Sequence, residues 1–280
     1  MAQAESSSRW RDLGVRSLAA LVLAPIVLLC VWWGGLPYLL LLLVTGCGVA
    51  WEWCTLVYGR GRENSQMALH GAAVAAALIA AFLGYPVVSL FIAGCCWLVS
   101  VLLASRSGSV DFWRLVGVAY VTVPLLALFY LRLEPGFGFL ALLWLLTVVW
   151  MTDTFAYFAG RLIGGPKLSR FSPKKTWAGL GGGAVGAAIA SGAVGVLASL
   201  PVIWIPVVLA AIIAVVSQIG DIFESAAKRH FNAKDSSSLI PGHGGILDRI
   251  DGLMFAAVFC VGLALLRGGN FQQAGRFLFW

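Results

Sequence analysis

Long apolar stretches separated by short polar connections run through almost the whole chain. Nine of them each approach the roughly 20 residues that a helix needs to cross the hydrocarbon core of a bilayer. They lie at about 14–33, 36–54, 68–84, 86–104, 115–131, 136–158, 178–199, 201–223 and 250–266. Because backbone polar groups must be paired within lipid, and because the stretches lack the alternation of barrel strands, we predict helices. The pattern predicts an all-α, polytopic integral membrane protein with about nine transmembrane helices.

The composition supports a membrane protein. Of the 280 residues, 60% are hydrophobic and 11% are charged, and the mean hydropathy is +0.92. Soluble domains have about 45–50% apolar and about 25% charged residues. The composition therefore excludes an ordinary soluble enzyme, a disordered chain and a secreted disulfide scaffold. The six cysteines fall almost wholly within apolar stretches, so we interpret them as small buried hydrophobic residues.

Basic residues are distributed unevenly between the two sides of the predicted helices. If the N-terminus lies in the cytoplasm, the outer side receives only Arg132, Arg267 and Arg276, and the other 16 of the 19 lysines and arginines are cytoplasmic. This bias favours a cytoplasmic N-terminus and an odd number of spans. The net charge of +7 is then concentrated in a few loops, where we expect it to meet lipid headgroups or phosphates and no nucleic acid.

The residue types that carry chemistry are concentrated in the C-terminal half. We divide the chain into residues 1–135, whose five spans are expected to serve packing and lipid contact, and a catalytic region at 136–280. The second region contains the two long polar segments, 159–177 and 224–249, both on the predicted cytoplasmic side. The glycine-rich stretch at 179–192 lacks the lysine pattern of a phosphate loop and favours close helix packing.

Four aspartates are predicted at one level, near the cytoplasmic ends of three helices. Asp153 and Tyr157 lie one turn apart at the end of the sixth span, and Asp221 belongs to the eighth. Asp248 and Asp251 are three residues apart at the start of the ninth span, on one helical face. Carboxylates at membrane depth repel one another unless a cation lies between them. Oxygen ligands that leave positions for phosphate and water suit Mg²⁺.

Hydroxyl and basic side chains surround these carboxylates. Ser225 and Lys228 are expected to share one helical face with Asp221, and His243 lies within a PGHGG turn whose backbone can approach a ligand closely. Further candidates for phosphate binding are Ser172, Lys174, Lys175, Arg229, Lys234 and Arg249. A carboxylate–metal centre ringed by cations fits phosphoryl or nucleotidyl transfer, in which the protein positions groups and neutralises phosphate charge.

Residues 225–251 resemble the signature of the phosphatidate cytidylyltransferase (CDP-diacylglycerol synthase) family, bacterial type. The signature positions here are Ser225, Lys228, Arg229, Lys234, Asp235, Ser237, Ile240, Pro241, His243, Gly244, Gly245, Ile246, Asp248, Arg249, Ile250 and Asp251. The segments DTFAYFAGR at 153–161 and SPKKTW at 172–177 also resemble the family. The sequence departs from the pattern at Ala227, where a larger apolar residue is usual, and at Ala178, where many members carry Glu.

This resemblance implies Mg²⁺-dependent transfer of a cytidylyl group from CTP to phosphatidate, giving CDP-diacylglycerol and pyrophosphate, at the cytoplasmic face of a bacterial inner membrane. It implies that Asp221 and Asp248 are the principal metal ligands, with Asp251 close by. The other implied roles are phosphate binding by Lys228, Arg229, Lys234 and Arg249, closure over the nucleotide by Ser172, Lys174 and Lys175, orientation by His243, and support of the cavity by Asp153 and Tyr157. The resemblance leaves room for a second, monovalent cation such as K⁺ and for a homodimer.

Two other functions remain open from the residues alone. A cation-coupled transporter would use the same carboxylates, although the charges cluster at one membrane face and no inverted repeat is evident. A different Mg²⁺-dependent transferase, acting on a polyprenyl or other lipid phosphate, would need the same arrangement of charges. A transferase would release pyrophosphate in detergent, whereas a transporter needs a sealed compartment.

Overall fold

The computed structural model describes residues 21–59, 64–106, 111–240 and 244–278. Within these residues the helices are α1 (Leu21–Trp33), α2 (Gly35–Tyr58), α3 (Asn64–Phe82), α4 (Pro86–Arg106), α5 (Phe112–Leu133), α6 (Gly138–Leu162), α7 (Trp177–Leu197), α8 (Trp204–His230), α9 (Leu247–Leu266) and a 3₁₀ helix, Phe271–Leu278. Eight of them, α2–α9, are long and apolar enough to cross a membrane. The predicted all-α, polytopic architecture is therefore confirmed. The count of nine spans stays a prediction, because the first predicted span begins outside the described residues.

Three helices of the C-terminal half extend further than the apolar pattern predicted. The eighth predicted span ends at residue 223, but α8 continues to His230. Similarly, α6 continues to Leu162, and α9 begins at Leu247. In α8 the reason is that Glu224 and Lys228 pair with each other, are largely buried within the bundle and do not face lipid or water. The two ends of the predicted polar segment at 224–249 are therefore helical, which restrains their side chains more than a loop would.

Helix α5 connects the N-terminal helices to the C-terminal ones. It contacts α2, α3, α4, α6 and α9, and its apolar residues from Val118 to Leu131 are largely buried. The buried side chains of Trp53 on α2 and Trp144 on α6 extend the core on either side. The two halves of the sequence therefore share one core, and residues of α2 and α5 can reach the polar end of α8 and α9.

Small residues bring α7 close to α6. A Cβ atom added at Gly183 would lie 2.9 Å from the carbonyl oxygen of Thr152, and one added at Gly179 would lie 3.0 Å from that of Ala156. Any larger residue at these positions would push the helices apart. The glycine-rich stretch thus serves close helix packing, as predicted, and it holds the start of α7 beside the end of α6.

Candidate active site

The polar ends of α6 and α8 and the connection from α6 to α7 meet at one end of the bundle. A cleft of about 200 Å³ opens there, and its walls include Asp153, Tyr157, Lys174, Lys175, Gln218 and Asp221. The amide nitrogen of Gln218 donates to Oδ1 of Asp153 at 3.3 Å, which links α6 to α8. The hydroxyl of Tyr157 accepts from Arg161 at 2.8 Å. The structure thus brings polar groups from three parts of the sequence to one opening.

The α6–α7 connection is folded so that a lysine reaches α8. The amide of Leu168 donates to the carbonyl of Lys175 at 2.8 Å, and the amide of Lys175 donates to the carbonyl of Ser172 at 3.0 Å. The hydroxyl of Thr176 caps the first turn of α7. These bonds form a tight turn, from which the ammonium group of Lys175 forms an ion pair with Asp221. Lys175 therefore closes one side of the cleft.

A second lysine lies between two carboxylates at the end of α8. The Nζ atom of Lys228 is 2.5 Å from Oε2 of Glu224 and 2.5 Å from Oδ1 of Asp248. The side chains of Lys228, Glu224 and Asp248 are 12%, 2% and 10% exposed. Charges this poorly solvated are tolerated only when they are paired and hydrogen-bonded. This triad joins α8 to α9 and carries one net negative charge when all three groups are ionised.

Asp248 also organises the chain that precedes α9. Its Oδ2 atom accepts from the amide of Gly245 at 2.8 Å, from the amide of Ser236 at 3.0 Å and from the hydroxyl of Ser236 at 2.9 Å. Asp248 lies in the first turn of α9, where the helix dipole favours a negative charge. The position of its carboxylate is therefore determined by both Lys228 and the α8–α9 loop, residues 231–246.

Two glycines allow α8 and α9 to cross closely beside the aspartates. A Cβ added at Gly252 would lie 2.7 Å from Oδ1 of Asp221, and one added at Gly220 would lie 2.6 Å from the carbonyl oxygen of Asp251. Asp221 consequently lies against α9. The charge of Asp221 interacts with those of Asp153 and Asp251, and Lys175 is the cation paired with it.

The carboxylates have the chemistry of a magnesium site without forming a complete ligand cage. Within the described ranges, no three His, Cys, Asp or Glu side chains converge as metal ligands. Mg²⁺ usually keeps several waters and takes one or two carboxylates together with substrate phosphates. Asp221, partly exposed at the cleft and close to Asp251, meets this requirement. Asp248 already accepts several hydrogen bonds, so it would have to share its oxygens.

Sequence comparison extends the resemblance over most of the chain. The profile of the cytidylyltransferase family matches residues 14–266. The chain belongs to the cytidylyltransferase family. This membership confirms the resemblance read from residues 225–251 and the prediction of a nucleotidyltransferase, and it excludes the transporter alternative.

Relatives that share much of this sequence carry one name. The phosphatidate cytidylyltransferase of Brucella abortus biovar 1 (strain 9-941) is 41% identical over 251 residues, which cover 88% of this chain and 91% of that protein. The enzyme of the same name from Thermotoga maritima is 43% identical over 147 residues, or 50% of this chain and 54% of that protein. That from Bacillus subtilis is 41% identical over 125 residues, or 44% of this chain and 46% of that protein.

The candidate residues of this cytidylyltransferase fall into three groups. The first lines or adjoins the cleft: Asp153, Tyr157, Ser172, Lys174, Lys175, Asp221 and Asp251. The second lies at the α8–α9 junction: Ser225, Lys228 and Asp248. The third is exposed at the surface: Arg229, Lys234 and Arg249. Arg249 nevertheless lies within electrostatic range of Asp153, and His243 lies outside the described residues.

Sequence reasoning missed several polar residues that the structure places at or next to the site, including Gln218 in the wall of the cleft. Glu52 of α2 contacts the α8–α9 loop through both carboxylate oxygens, and Ser236 bridges Glu52 and Asp248. The hydroxyl of Tyr120 on α5 is buried without a hydrogen-bond partner among the described residues and lies within electrostatic range of Asp251. A carboxylate within an apolar span is costly without a partner, and that signal was available for Glu52.

Proposed function

We propose that this cytidylyltransferase uses CTP and phosphatidate, releases pyrophosphate and forms CDP-diacylglycerol. The observation that carries the proposal is the pairing of Lys175 with Asp221 and of Lys228 with Asp248 at one end of the bundle. Lys175 is a partly buried cation in the wall of an open cleft, and Lys228 is a partly buried cation two turns along α8 from Asp221. Phosphate oxygens are natural ligands for both. The name of the Brucella relative, which is similar over 88% of the chain, supports the choice of lipid.

The reaction needs charge stabilisation and positioning more than covalent chemistry. A phosphate oxygen of phosphatidate attacks the α-phosphorus of CTP and forms a new P–O bond. The bond from the α-phosphorus to the oxygen that bridges to the β-phosphorus breaks, and its electron pair leaves with pyrophosphate. The attacking oxygen is already anionic, so no protein nucleophile is required. Lys174 and Lys175 would hold the triphosphate, while Lys228 would neutralise phosphate charge that develops beside α9.

We extend the proposal to Mg²⁺. Asp221 and Asp248 would hold the ion, with Asp251 close to it. When bound, Mg²⁺ neutralises phosphate charge and orients the triphosphate for in-line attack. The close crossing of α8 and α9 at Gly220 and Gly252 supports this assignment, because it keeps carboxylates of two helices on one side of the bundle.

We further propose that the cleft faces the cytoplasm of a bacterial inner membrane. The basic residues of the two polar connections support this orientation, and the apolar faces between helices suit the acyl chains of the lipid. Topology reporters fused after residues 170 and 240 should both report the cytoplasm. An external signal at either position would contradict the orientation.

Pyrophosphate release by the purified protein in detergent micelles tests the reaction. We expect release with CTP that requires both phosphatidate and Mg²⁺, and none when EDTA is present. Asp221→Asn should abolish release, whereas Asp111→Asn should not, because Asp111 caps α5 and pairs with Arg114 of the same helix and does not line the cleft. Release with another lipid phosphate in place of phosphatidate would favour the alternative transferase. No release with CTP and phosphatidate from folded protein would overturn the proposal.

The homodimer and the second cation also follow from the family resemblance. Cross-linking of the protein in native membranes would test the homodimer. Titration of the reaction rate with K⁺ at constant ionic strength would test the monovalent cation.

A further inference from the structure

Glu52 is a fully buried carboxylate in the half of the chain that the sequence assigns to packing. Its exposed fraction is 0%, and it lies on α2, more than 180 residues from the loop that it contacts. Its Oε1 atom accepts from the hydroxyl of Ser237 at 2.6 Å and from the amide of Ile246 at 2.8 Å. Its Oε2 atom accepts from the hydroxyl of Ser236 at 3.2 Å and from the amide of Leu247 at 2.7 Å. Each oxygen therefore has one hydroxyl donor and one backbone donor.

These contacts join the middle of the α8–α9 loop to the start of α9. Ser236 and Ser237 follow α8, whereas Ile246 and Leu247 form the start of α9. A carboxylate at the beginning of a helix accepts free amides and is favoured by the helix dipole. Glu52 thus holds the middle of the loop against the start of α9 and satisfies amides that would otherwise lack partners.

The surrounding residues leave room for this arrangement. A Cβ added at Gly245 would lie 2.6 Å from Oε1 of Glu52 and would also overlap Ser236. One turn before Glu52, a Cβ added at Gly48 would overlap the side chain of Ile246. Glycine at both positions lets α2 and the loop approach closely. The contact between α2 and the loop therefore involves close packing as well as the hydrogen bonds of Glu52.

The link from Glu52 to the candidate site passes through one hydroxyl group. The Oγ atom of Ser236 lies 3.2 Å from Glu52 and 2.9 Å from Asp248. Because a serine hydroxyl has a single proton, it donates to one of the two carboxylates at a time. The backbone amides of Ser236 and Gly245, which bind Asp248, belong to the same loop. Displacement of the loop would consequently move the donors that orient Asp248.

We propose that Glu52 is a positioning residue for cytidylyl transfer. It clamps the α8–α9 loop to α2 and thereby orients Asp248 and the first turn of α9 for metal and phosphate. This inference rests on the proposed function for its catalytic consequence, whereas the clamp itself can be measured without any activity.

Glu52→Gln is the informative change, since the side chain keeps its size. Each carboxylate oxygen accepts one backbone amide, of Ile246 or of Leu247. A glutamine presents one oxygen and one NH₂ group, so in either orientation one of these amides faces a second donor. We expect kcat to fall about 10–100-fold, the range for residues that orient a metal ligand. The KM for CTP should change by less than about threefold, because the described residues of the nucleotide cleft do not contact Glu52.

Two further variants sharpen the test. Glu52→Asp retains both acceptor oxygens on a shorter side chain and should recover part of kcat relative to Glu52→Gln. Ser237→Ala removes one of the four donors and should give a smaller loss of the same kind. If Glu52→Gln does not fold, the kcat and the amide exchange of Ser237→Ala test the proposal in its place.

Tyr38→Phe is the matched control. Tyr38 is a buried residue of the same helix, about 20 Å along the axis from Glu52, and its hydroxyl donates to the carbonyl of Leu128 at 3.0 Å. The control loses a buried hydrogen bond at the opposite end of α2. We expect kcat, the KM for CTP and the Mg²⁺ concentration at half-maximal rate to match those of the unaltered protein. Glu52→Gln should raise that Mg²⁺ concentration.

Amide hydrogen exchange of the full-length protein in detergent gives a readout that does not depend on activity. In Glu52→Gln, peptides from 233–248 should exchange about 10-fold faster, and peptides of α6 and α7 should be unchanged. Tyr38→Phe should leave 233–248 unchanged. Unaltered exchange at 233–248 in both Glu52→Gln and Ser237→Ala would overturn the clamp. Faster exchange with normal kcat and Mg²⁺ dependence would overturn the positioning role. If the unaltered protein releases no pyrophosphate, the proposed function fails, and exchange alone decides whether the clamp exists.

Discussion

Replacing Lys228 with methionine tests the buried charges at the α8–α9 junction. Lys228→Met keeps most of the length of the side chain but removes the cation that lies 2.5 Å from both Glu224 and Asp248. The two carboxylates, which are 2% and 10% exposed, then face each other without a counter-charge. Breaking a buried ion pair by removing one partner costs about 3–5 kcal/mol. We therefore expect the free energy of unfolding to fall by about 3–5 kcal/mol.

A second substitution separates the structural role of Lys228 from its role in the reaction. Lys228→Met with Glu224→Gln removes one charge of each sign and leaves Asp248 with its donors from Ser236 and Gly245. Most of the lost stability should return. The reaction rate should remain about 100–1,000-fold below that of the unaltered protein, the usual cost of removing one group that stabilises transition-state charge.

Denaturant unfolding in mixed micelles, followed by tryptophan fluorescence, would measure the stabilities, and pyrophosphate release would measure the rates. An unchanged unfolding midpoint in Lys228→Met would refute the argument that its cation balances two buried carboxylates. A normal rate in the double variant would refute the assignment of Lys228 to phosphate.

Two further predictions concern residues next to Asp221 and Asp251. Gly252→Ala should lower the rate of pyrophosphate release at least about 10-fold, because the new Cβ would lie 2.7 Å from Oδ1 of Asp221. The control is Gly262→Ala on the same helix, where an added Cβ would have no atom within 4 Å. This variant should release pyrophosphate at the rate of the unaltered protein. Tyr120→Phe removes a buried hydroxyl near Asp251 and should lower kcat about 10-fold, whereas an unchanged kcat would reduce Tyr120 to a packing residue.

The helical architecture could be predicted because lipid allows few alternatives. An apolar stretch of about 20 residues must pair its own backbone groups, so hydropathy identifies the spans. The same rule placed the end of the eighth span too early. Hydropathy treats Glu224 and Lys228 as residues facing water, although Lys228 pairs with both Glu224 and Asp248 inside the bundle. Hydropathy therefore predicts too short a helix wherever the end of the helix carries buried ion pairs.

The candidate site was predictable where its residues are close in sequence. Asp221 and Lys228 share one face of a helix, and Asp248 and Asp251 share another, so spacing alone groups them. Glu52 belongs to no such group, because its partners are brought to it only by the docking of α2. An isolated acid in an apolar span indicates that a partner exists, but its spacing does not indicate which one.

The glycines beside the acids explain why the carboxylates face one another. At Gly252 the backbone of α9 is close enough to α8 that a single added methyl group would meet Asp221, and at Gly245 the loop is equally close to Glu52. If these backbones were pushed apart, the acids would lose their donors and counter-charges. A charge left without partners in lipid costs about 2.5–3.5 kcal/mol. The close approaches at Gly252 and Gly245 therefore determine where the acids can be charged and where phosphate can bind beside them. A larger residue at either glycine would displace the neighbouring carboxylate without removing it.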